Sequence, residues 1–471
     1  MTPRIQIQIQ FIVLVLSVAV IAANVDASER PNLVILLADD LGFGDVGFNG
    51  CQDIPTPNID SLARDGVRFS NGYSSHPFCS PMRAGLMAGR YQHRFGYVNN
   101  MPFDPHNHVM GFPQSEKTIA SRLKQVGYRT GMVGKWHLGA ASEFHPLRRG
   151  FDFYYGFLGG GHDYFTVDTT AALHENYKAA IDDNGKPVAF DGYLTEVLTD
   201  EAIRFIDQSA DLPYFLYVAY NAPHTPLQAP EDKIQQFESI KDKKRRTYAA
   251  MVSCMDDQIG RLLQKIDDSG DRDHTLVVFL SDNGGPESSN GSDNGPFRGA
   301  KGDVFEGGIH VPFVMRMPGT LPAGKVFDDP VISFDVSQTA LELGHADPDD
   351  LLEGVNLVPY ATGQKTTRPH DALYWRTHQD ALHAVRQGSE KFVLANDKAM
   401  LFDLGLDEGE SNNLAETHPQ RVAELTDAFT QWNSNNQPSF FYGFRSYHEQ
   451  LRAFHQQLRR DSEATDVMVA P

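Results

Sequence analysis

The segment Asn32-Leu33-Val34-Ile35-Leu36-Leu37-Ala38 is an uninterrupted apolar run that stops at two carboxylates, Asp39 and Asp40. A strand with one wet face alternates apolar and polar residues, so an unbroken run fits a strand buried on both faces of a parallel sheet. Similar runs recur at Thr130–Lys135, Tyr214–Tyr220, Thr275–Ser281 and Val311–Met317. Helical patterns separate them. Thr56–Gly66 closes on a glycine, and Lys117–Gly127 carries Ile119, Leu123 and Val126 on one face. Tyr193–Gln208 and Tyr248–Ile266 are longer. Strands alternating with helices predict an α/β fold: a large mixed, mostly parallel sheet sandwiched by helices.

From about Thr366 the texture changes. Ala372–Arg376, Leu382–Arg386, Lys391–Ala395 and Met400–Leu404 are short strand candidates with no helix between them, and Pro419–Trp432 reads as a helix. The expected division is a main α/β domain over residues 28–366 and a small antiparallel-sheet-plus-helix subdomain over 367–435. The tail, 436–471, has no readable pattern.

The N-terminus has the form of a signal peptide over residues 1–27. Arg4 is its one early charge, Phe11–Ala23 is apolar, and Val25-Asp26-Ala27 resembles a small-residue cleavage site. The apolar run is shorter than the roughly 20 residues of a comfortable membrane span. The expectation is export, periplasmic or secreted, with no membrane attachment after cleavage; a retained signal anchor is the alternative. A formal net charge of −20 argues against a nucleic-acid partner. An anionic substrate would need a locally basic pocket. The three cysteines, Cys51, Cys79 and Cys254, are too few for a disulfide scaffold. Cys51 paired with Cys254, and two free thiols, both remain open.

Active sites of open α/β sheets form at the carboxyl ends of strands. Asp39-Asp40 follows one apolar run and Asp282-Asn283 follows another. These oxygen donors suit a hard cation, Ca²⁺ or Mg²⁺, although aspartates after strands are also common turn formers. Cys79 precedes Ser80-Pro81-Met82-Arg83, which can open a helix and place the thiol in a positive field. An isolated cysteine would read as structural. Its spacing to Pro81 and Arg83 argues otherwise.

The pattern Cys79-Ser80-Pro81-Met82-Arg83 with Gly89-Arg90 resembles the hallmark of the formylglycine-dependent sulfatases of the alkaline phosphatase superfamily. Further stretches agree in order: Thr56-Pro57-Asn58-Ile59-Asp60, Gly134-Lys135-Trp136-His137-Leu138-Gly139, Ala222-Pro223-His224-Thr225-Pro226, Ser281-Asp282-Asn283-Gly284 and Gly299-Ala300-Lys301-Gly302. The resemblance runs from about Pro31 to Trp432. It implies an alkaline phosphatase-like fold and a metal, calcium or else magnesium, held by Asp39, Asp40, Asp282, Asn283 and residue 79. It also implies that a maturation enzyme oxidises Cys79 to formylglycine (3-oxoalanine). The aldehyde hydrates to a gem-diol; one hydroxyl attacks sulfur and the second expels sulfate from a sulfated hemiacetal. The implied roles are Arg83 on the hydrated aldehyde, Lys135 and Lys301 on sulfate, His137 as base and His224 as leaving-group acid. This chain departs from the family's usual residues at Met82, Ala88 and His310.

Arg148-Arg149-Gly150-Phe151-Asp152 and Gly159-Gly160-Gly161-His162-Asp163-Tyr164 are candidate substrate-pocket segments. His162 and Asp163 could contact sugar hydroxyls, or could form a turn. This region resembles N-acetylgalactosamine 4-sulfatases more than choline or lipid sulfatases, which leans toward a galactose-type sulfated carbohydrate. Two other readings stand beside it: a formylglycine-dependent phosphonate or phosphate diester hydrolase, and a non-catalytic binder of sulfated glycan.

Overall fold

A computed structural model describes residues 30–169, 177–209, 212–377, 382–395 and 397–441. The expected signal peptide and most of the expected tail lie outside these residues. The strand Asn32–Ala38 occupies the middle of a ten-stranded sheet. On one side of it come Thr275–Ser281, Phe313–Arg316, Val67–Phe69 and Lys325–Phe327. On the other side are Tyr214–Ala219, Arg129–Lys135, Phe153–Phe157, Ile181–Asp183 and Lys186–Val188. The five strands Thr275–Ser281, Asn32–Ala38, Tyr214–Ala219, Arg129–Lys135 and Phe153–Phe157 pair in parallel.

The unbroken apolar runs have a simple cause. Leu33, Ile35 and Leu37 enter the core on one face, while Val34, Leu36 and Ala38 enter the core on the other. The neighbouring strand divides its residues the same way, with Leu276, Val278 and Leu280 opposite Val277 and Phe279. The helix Cys79–Ala88 packs in the first core. The 26-residue helix Lys243–Asp268 covers the second, through residues such as Tyr248, Met251, Ile259 and Leu262.

Two departures from the sequence reading concern this sheet. Phe153–Phe157 is an additional parallel strand, and Phe313–Arg316 runs antiparallel to Thr275–Ser281. Gly134 and Gly156 allow strands near the site to close tightly. A β-carbon on Gly134 would lie 2.0 Å from the Ala219 carbonyl, and Gly134 adopts φ +102°.

A separate four-stranded antiparallel sheet comprises Leu373–Arg376, Leu382–Gln387, Glu390–Ala395 and Lys398–Asp403. The helix Pro419–Asn433 lies against it through Leu425, Phe429 and Trp432. Its core is shared with Tyr73, Val304, Ile309 and Phe334 of the large domain. The Trp375 indole N–H donates to the Ser74 carbonyl at 2.8 Å, so the subsidiary sheet is bolted on near the helix that carries Cys79. Cys51, Cys79 and Cys254 are free thiols. Cys51 is half-buried beside Asp53 and Arg245, whereas Cys254 is buried in the long helix.

Candidate active site

Strand register builds the site. Ala38 pairs with Ser281, Leu37 with Ala219 and Gly134 with Ala219, so four parallel strands finish at one level. Asp39, Asp282, Lys135 and the turn carrying His224 therefore leave the sheet side by side. Asp40 and His137 adopt φ of +65° and +58°, a left-handed conformation that non-glycine residues occupy at a cost and that concentrates at functional sites.

The helix Cys79–Ala88 brings two more groups to this edge, and all ten of its residues are buried. Cys79 is its first residue, with Sγ 3.0 Å from Lys301 Nζ and 3.9 Å from Asp40 Oδ1. Burial pushes the thiol pKa up, as does the Asp282 carboxylate, and together they outweigh Lys135 and Lys301. Burial thus works against the positive field expected at this helix terminus and favours the protonated thiol.

Arg83, one turn on, is fully buried. Its Nε and Nη2 donate to Asp282 Oδ2 at 3.1 and 2.8 Å, and its Nη1 donates to the Lys135 carbonyl at 3.0 Å. Lys135 Nζ donates to Asp39 Oδ2 at 2.6 Å, and Lys301 Nζ to Asp40 Oδ1 at 2.6 Å. Asn283 Nδ2 also donates to Asp40 Oδ1, at 2.7 Å. Burial works against the Asp40 carboxylate, but Lys301 and His224 hold its pKa down at about 2. Burial and the neighbouring Asp39 push Asp282 the other way.

Three carboxylates and three fixed cations thus sit within one buried cluster, yet its oxygens are not all used. Asp39 Oδ1 and Asn283 Oδ1 are buried and accept no hydrogen bond. Ligand atoms of Asp39, Asp40, Cys79 and His224 lie within 4.8 Å of one another. Carboxylate and amide oxygens with open lone pairs are the donor set of a hard divalent cation. Asp39 and Asn283 fit calcium or magnesium on that ground, with Asp40 in the same group of ligand atoms, while Asp282 beside them accepts from Arg83 and the Asp40 N–H.

The two histidines differ. His137 directs Nε2 to the Met101 carbonyl at 3.2 Å, while its Nδ1 is buried with no hydrogen-bond partner. Burial, with Lys135 and Arg83 nearby, keeps its pKa well below the ordinary histidine value, so Nδ1 carries a free lone pair. His224 directs Nδ1 to the Thr225 carbonyl at 2.6 Å and faces Asp40 with Nε2 at 3.6 Å. Burial brings its pKa down to about 3 despite Asp40.

His162 and Asp163 sit differently from the other candidates. Both ring nitrogens of His162 lie against backbone carbonyls, of Asp163 at 2.6 Å and Ala179 at 2.7 Å. Asp163 Oδ1 accepts from the Phe165 and Thr166 backbone and from Thr166 Oγ1, and Oδ2 accepts from Gln228. Their polar atoms brace a loop, and none is left turned to a sugar hydroxyl. His310, the departure from the family pattern, is likewise enclosed, between Glu306 and the Ser70 carbonyl. Two residues inside quoted motifs, Ser80 and Tyr164, were given no role of their own and turn out to support the site. Ser80 Oγ donates to the His137 carbonyl at 2.6 Å, and Tyr164 OH donates to the carbonyls of Asn221 and His224 at 2.7 and 2.8 Å.

The family model described as Sulfatase matches residues 31–346, which include every charged residue of this cluster. The chain belongs to the sulfatase family. It is a sulfuric ester hydrolase by that membership. A second family model, described as N-sulphoglucosamine sulphohydrolase, C-terminal, matches residues 300–435. This sulfatase is 35% identical over 405 residues to N-acetylgalactosamine-6-sulfatase of Canis lupus familiaris, covering 81% of this chain and 74% of that one. Among solved structures it is similar to Ps i-CgsB in complex with k-i-k-neocarrahexaose, at 37% identity and TM-score 0.85, covering 92% of this chain and 98% of that one. It is also similar to the PsFucS1 sulfatase from Pseudoalteromonas sp., at 25% identity and TM-score 0.76, covering 92% and 95%.

Proposed function

We propose that this sulfatase removes sulfate from a galactose-type sulfated saccharide, with Cys79 as the precursor of formylglycine and calcium as its metal. One observation carries the mechanism: the Cys79 Sγ lies 3.0 Å from Lys301 Nζ and shares one cluster of ligand atoms with Asp39, Asp40 and His224. A maturation enzyme would convert Cys79 at that point. Formylglycine supplies a hydroxyl nucleophile, and calcium supplies the charge that makes such a hydroxyl acidic.

The chain's own residues do the rest. Arg83 locks Asp282 and the end of the Lys135 strand into one rigid unit. Lys135 and Lys301 neutralise sulfate oxygens, giving a chain of net charge −20 the local cations that an anionic substrate needs. His137 accepts a proton at its open Nδ1. Lys301, which stays protonated, carries the proton for the departing sugar oxygen, and His224 Nε2 stands beside it as the group that can share that proton once sulfate enters. The saccharide class rests on relatives: one is named for N-acetylgalactosamine and another was solved with a neocarrahexaose. The N-terminal pattern adds the proposal that the enzyme acts outside the cytoplasm.

Mass spectrometry of the peptide containing residue 79, from active natively produced protein, tests the central point. Formylglycine is expected; an unmodified thiol in active enzyme would refute the mechanism. Values of kcat/KM on matched aryl sulfate and aryl phosphate esters test the ester class, and a preference for phosphate would overturn it.

A further inference from the structure

The segment 282–290 grips Asp40 at three points. Asp282 Oδ1 accepts from the Asp40 N–H at 3.2 Å, Asn283 Nδ2 donates to Asp40 Oδ1 at 2.7 Å, and Asn290 Nδ2 donates to the Asp40 carbonyl at 3.1 Å. Asp282 and Asn283 belong to the cluster at the strand ends. Asn290 does not, yet it is fully buried. Its carboxamide is used at both atoms, since Oδ1 accepts from the Ser292 N–H at 2.9 Å. A short side chain that must donate at one end and accept at the other is an asparagine. The fold fixes it from outside the site. Asn294 closes the loop before it, with Oδ1 accepting from the Gly285 N–H and Nδ2 donating to the Gly285 carbonyl, both at 2.8 Å. Gly291, at φ +80°, ends the helical turn Glu287–Asn290, and a β-carbon there would lie 3.0 Å from Arg245 N in the long helix.

Asp40 is buried with φ +65°, a conformation that persists only where the surroundings over-determine it. Holding the N–H and the carbonyl of one residue fixes its φ and ψ, and the direction of its side chain follows. We propose that Asn290 is a positioning residue for calcium: its amide N–H holds the Asp40 carbonyl and so aims the Asp40 carboxylate at the ion. Without that donor the buried carbonyl is unpaired, and the peptide is drawn away from the left-handed conformation toward another partner. The Asp40 carboxylate then leaves the place where the open oxygens of Asp39 and Asn283 converge with it. The proposal rests on the reading of Asp40 as a calcium ligand and names the residue outside the ligand set that prepares it.

The test is calcium binding by titration calorimetry to the full-length protein stripped with a chelator, together with the calcium-free melting temperature. Formylglycine occupancy is measured for every sample. Asn290→Ala and Asn290→Leu are both expected to raise the calcium dissociation constant by about 10- to 100-fold, the scale on which a partner of a metal ligand acts. Leucine refills the space of the carboxamide without its donor. A parent dissociation constant in Asn290→Leu would therefore assign any loss in Asn290→Ala to packing and overturn the proposal. A lower calcium-free melting temperature with unchanged calcium affinity in both variants would make Asn290 merely structural and overturn it too. Asp40→Asn, measured alongside, should lose the ion. Calcium binding that survives in Asp40→Asn, or no binding by the parent, would overturn the role of Asn290 together with the reading it rests on.

Discussion

Two of the buried charge clusters among the described residues are built to opposite ends. One is the site at the strand ends: Asp39, Asp40 and Asp282 with Arg83, Lys135 and Lys301. The other lies where the subsidiary sheet meets the main domain. There Lys391 pairs with Glu306 at 2.7 Å and Glu410 at 2.9 Å, while Glu306 Oε2 also accepts from Tyr73 at 2.5 Å and faces His310 at 2.9 Å. The Glu306 N–H donates in turn to Glu410 Oε2 at 2.7 Å. In the second cluster both oxygens of Glu306 are committed within the protein, and the one oxygen without a hydrogen bond, Glu410 Oε1, is met by Lys391 Nζ at 2.9 Å. In the first, Asp39 Oδ1, Asn283 Oδ1 and His137 Nδ1 are open. Open valences are costly in a buried site and make sense where a ligand completes them. Buried charge alone does not mark an active site, and neither does one unused oxygen; three unused atoms from Asp39, Asn283 and His137 in one cluster set the first apart.

The sharpest test of that contrast is Cys79→Ala. It should lower kcat by at least roughly 10⁴-fold, the scale on which losing a nucleophile acts, while the protein stays folded in a thermal melt. Retained turnover would remove Cys79 from the chemistry. Next in size is a paired comparison of two lysines. Lys391→Met strands Glu306 and Glu410 without their cation and should cost about 3–5 kcal/mol of stability. Lys301→Met should instead lower kcat by roughly 10²–10³-fold and destabilise less than Lys391→Met. Reversal of the two stabilities in denaturant melts would undo the distinction between the clusters.

Calcium binding sharpens the same contrast from the ligand side. At about 100 times its dissociation constant, the ion should stabilise the parent by about 2.7 kcal/mol, because it binds the folded state alone. The rise in melting temperature should persist in Lys391→Arg and vanish in Asp40→Asn. An equal rise in all three would place the ion elsewhere.

The sequence made the first cluster readable and left the second dark, for physical reasons. A strand buried on both faces must be apolar throughout, so Asn32–Ala38 and Thr275–Ser281 announce themselves, and the polar residues just past them stand out. Phe153–Phe157 contains Gly156, which the close approach to Gly134 demands, and that glycine disguises the strand. The direction of Phe313–Arg316 depends on the chain's route after Asp282, which no local pattern encodes. Glu306, Lys391 and Glu410 are far apart in sequence and each looks like an ordinary surface charge. His162 and Asp163 were legible as polar residues in a glycine-rich loop, but their partners were not, since Ala179 and Gln228 meet them only in the fold.

The smallest effect belongs to the same seam as the Glu306 cluster. His370 Nε2 lies 2.9 and 3.0 Å from the two oxygens of Asp335, on the helix Asp335–Leu343. Burial opposes the charged imidazole, but the Asp335 carboxylate outweighs it and the pKa of His370 is raised above its ordinary 6.5. A raised histidine pKa means that the folded state holds the proton more tightly than the unfolded chain does. The resulting stability is fully present below pH 6.5 and is lost as pH rises through the folded-state value. His370→Gln should therefore cost about 1.5 kcal/mol at pH 6, the low end for a hydrogen bond to a charged group, and less at pH 8. Melts of both proteins across that range check it. A gap that widens toward pH 8 would mean that His370 pairs with Asp335 as a neutral ring, and that Asp335, unlike Glu306 and Glu410 with Lys391, has no cation of its own.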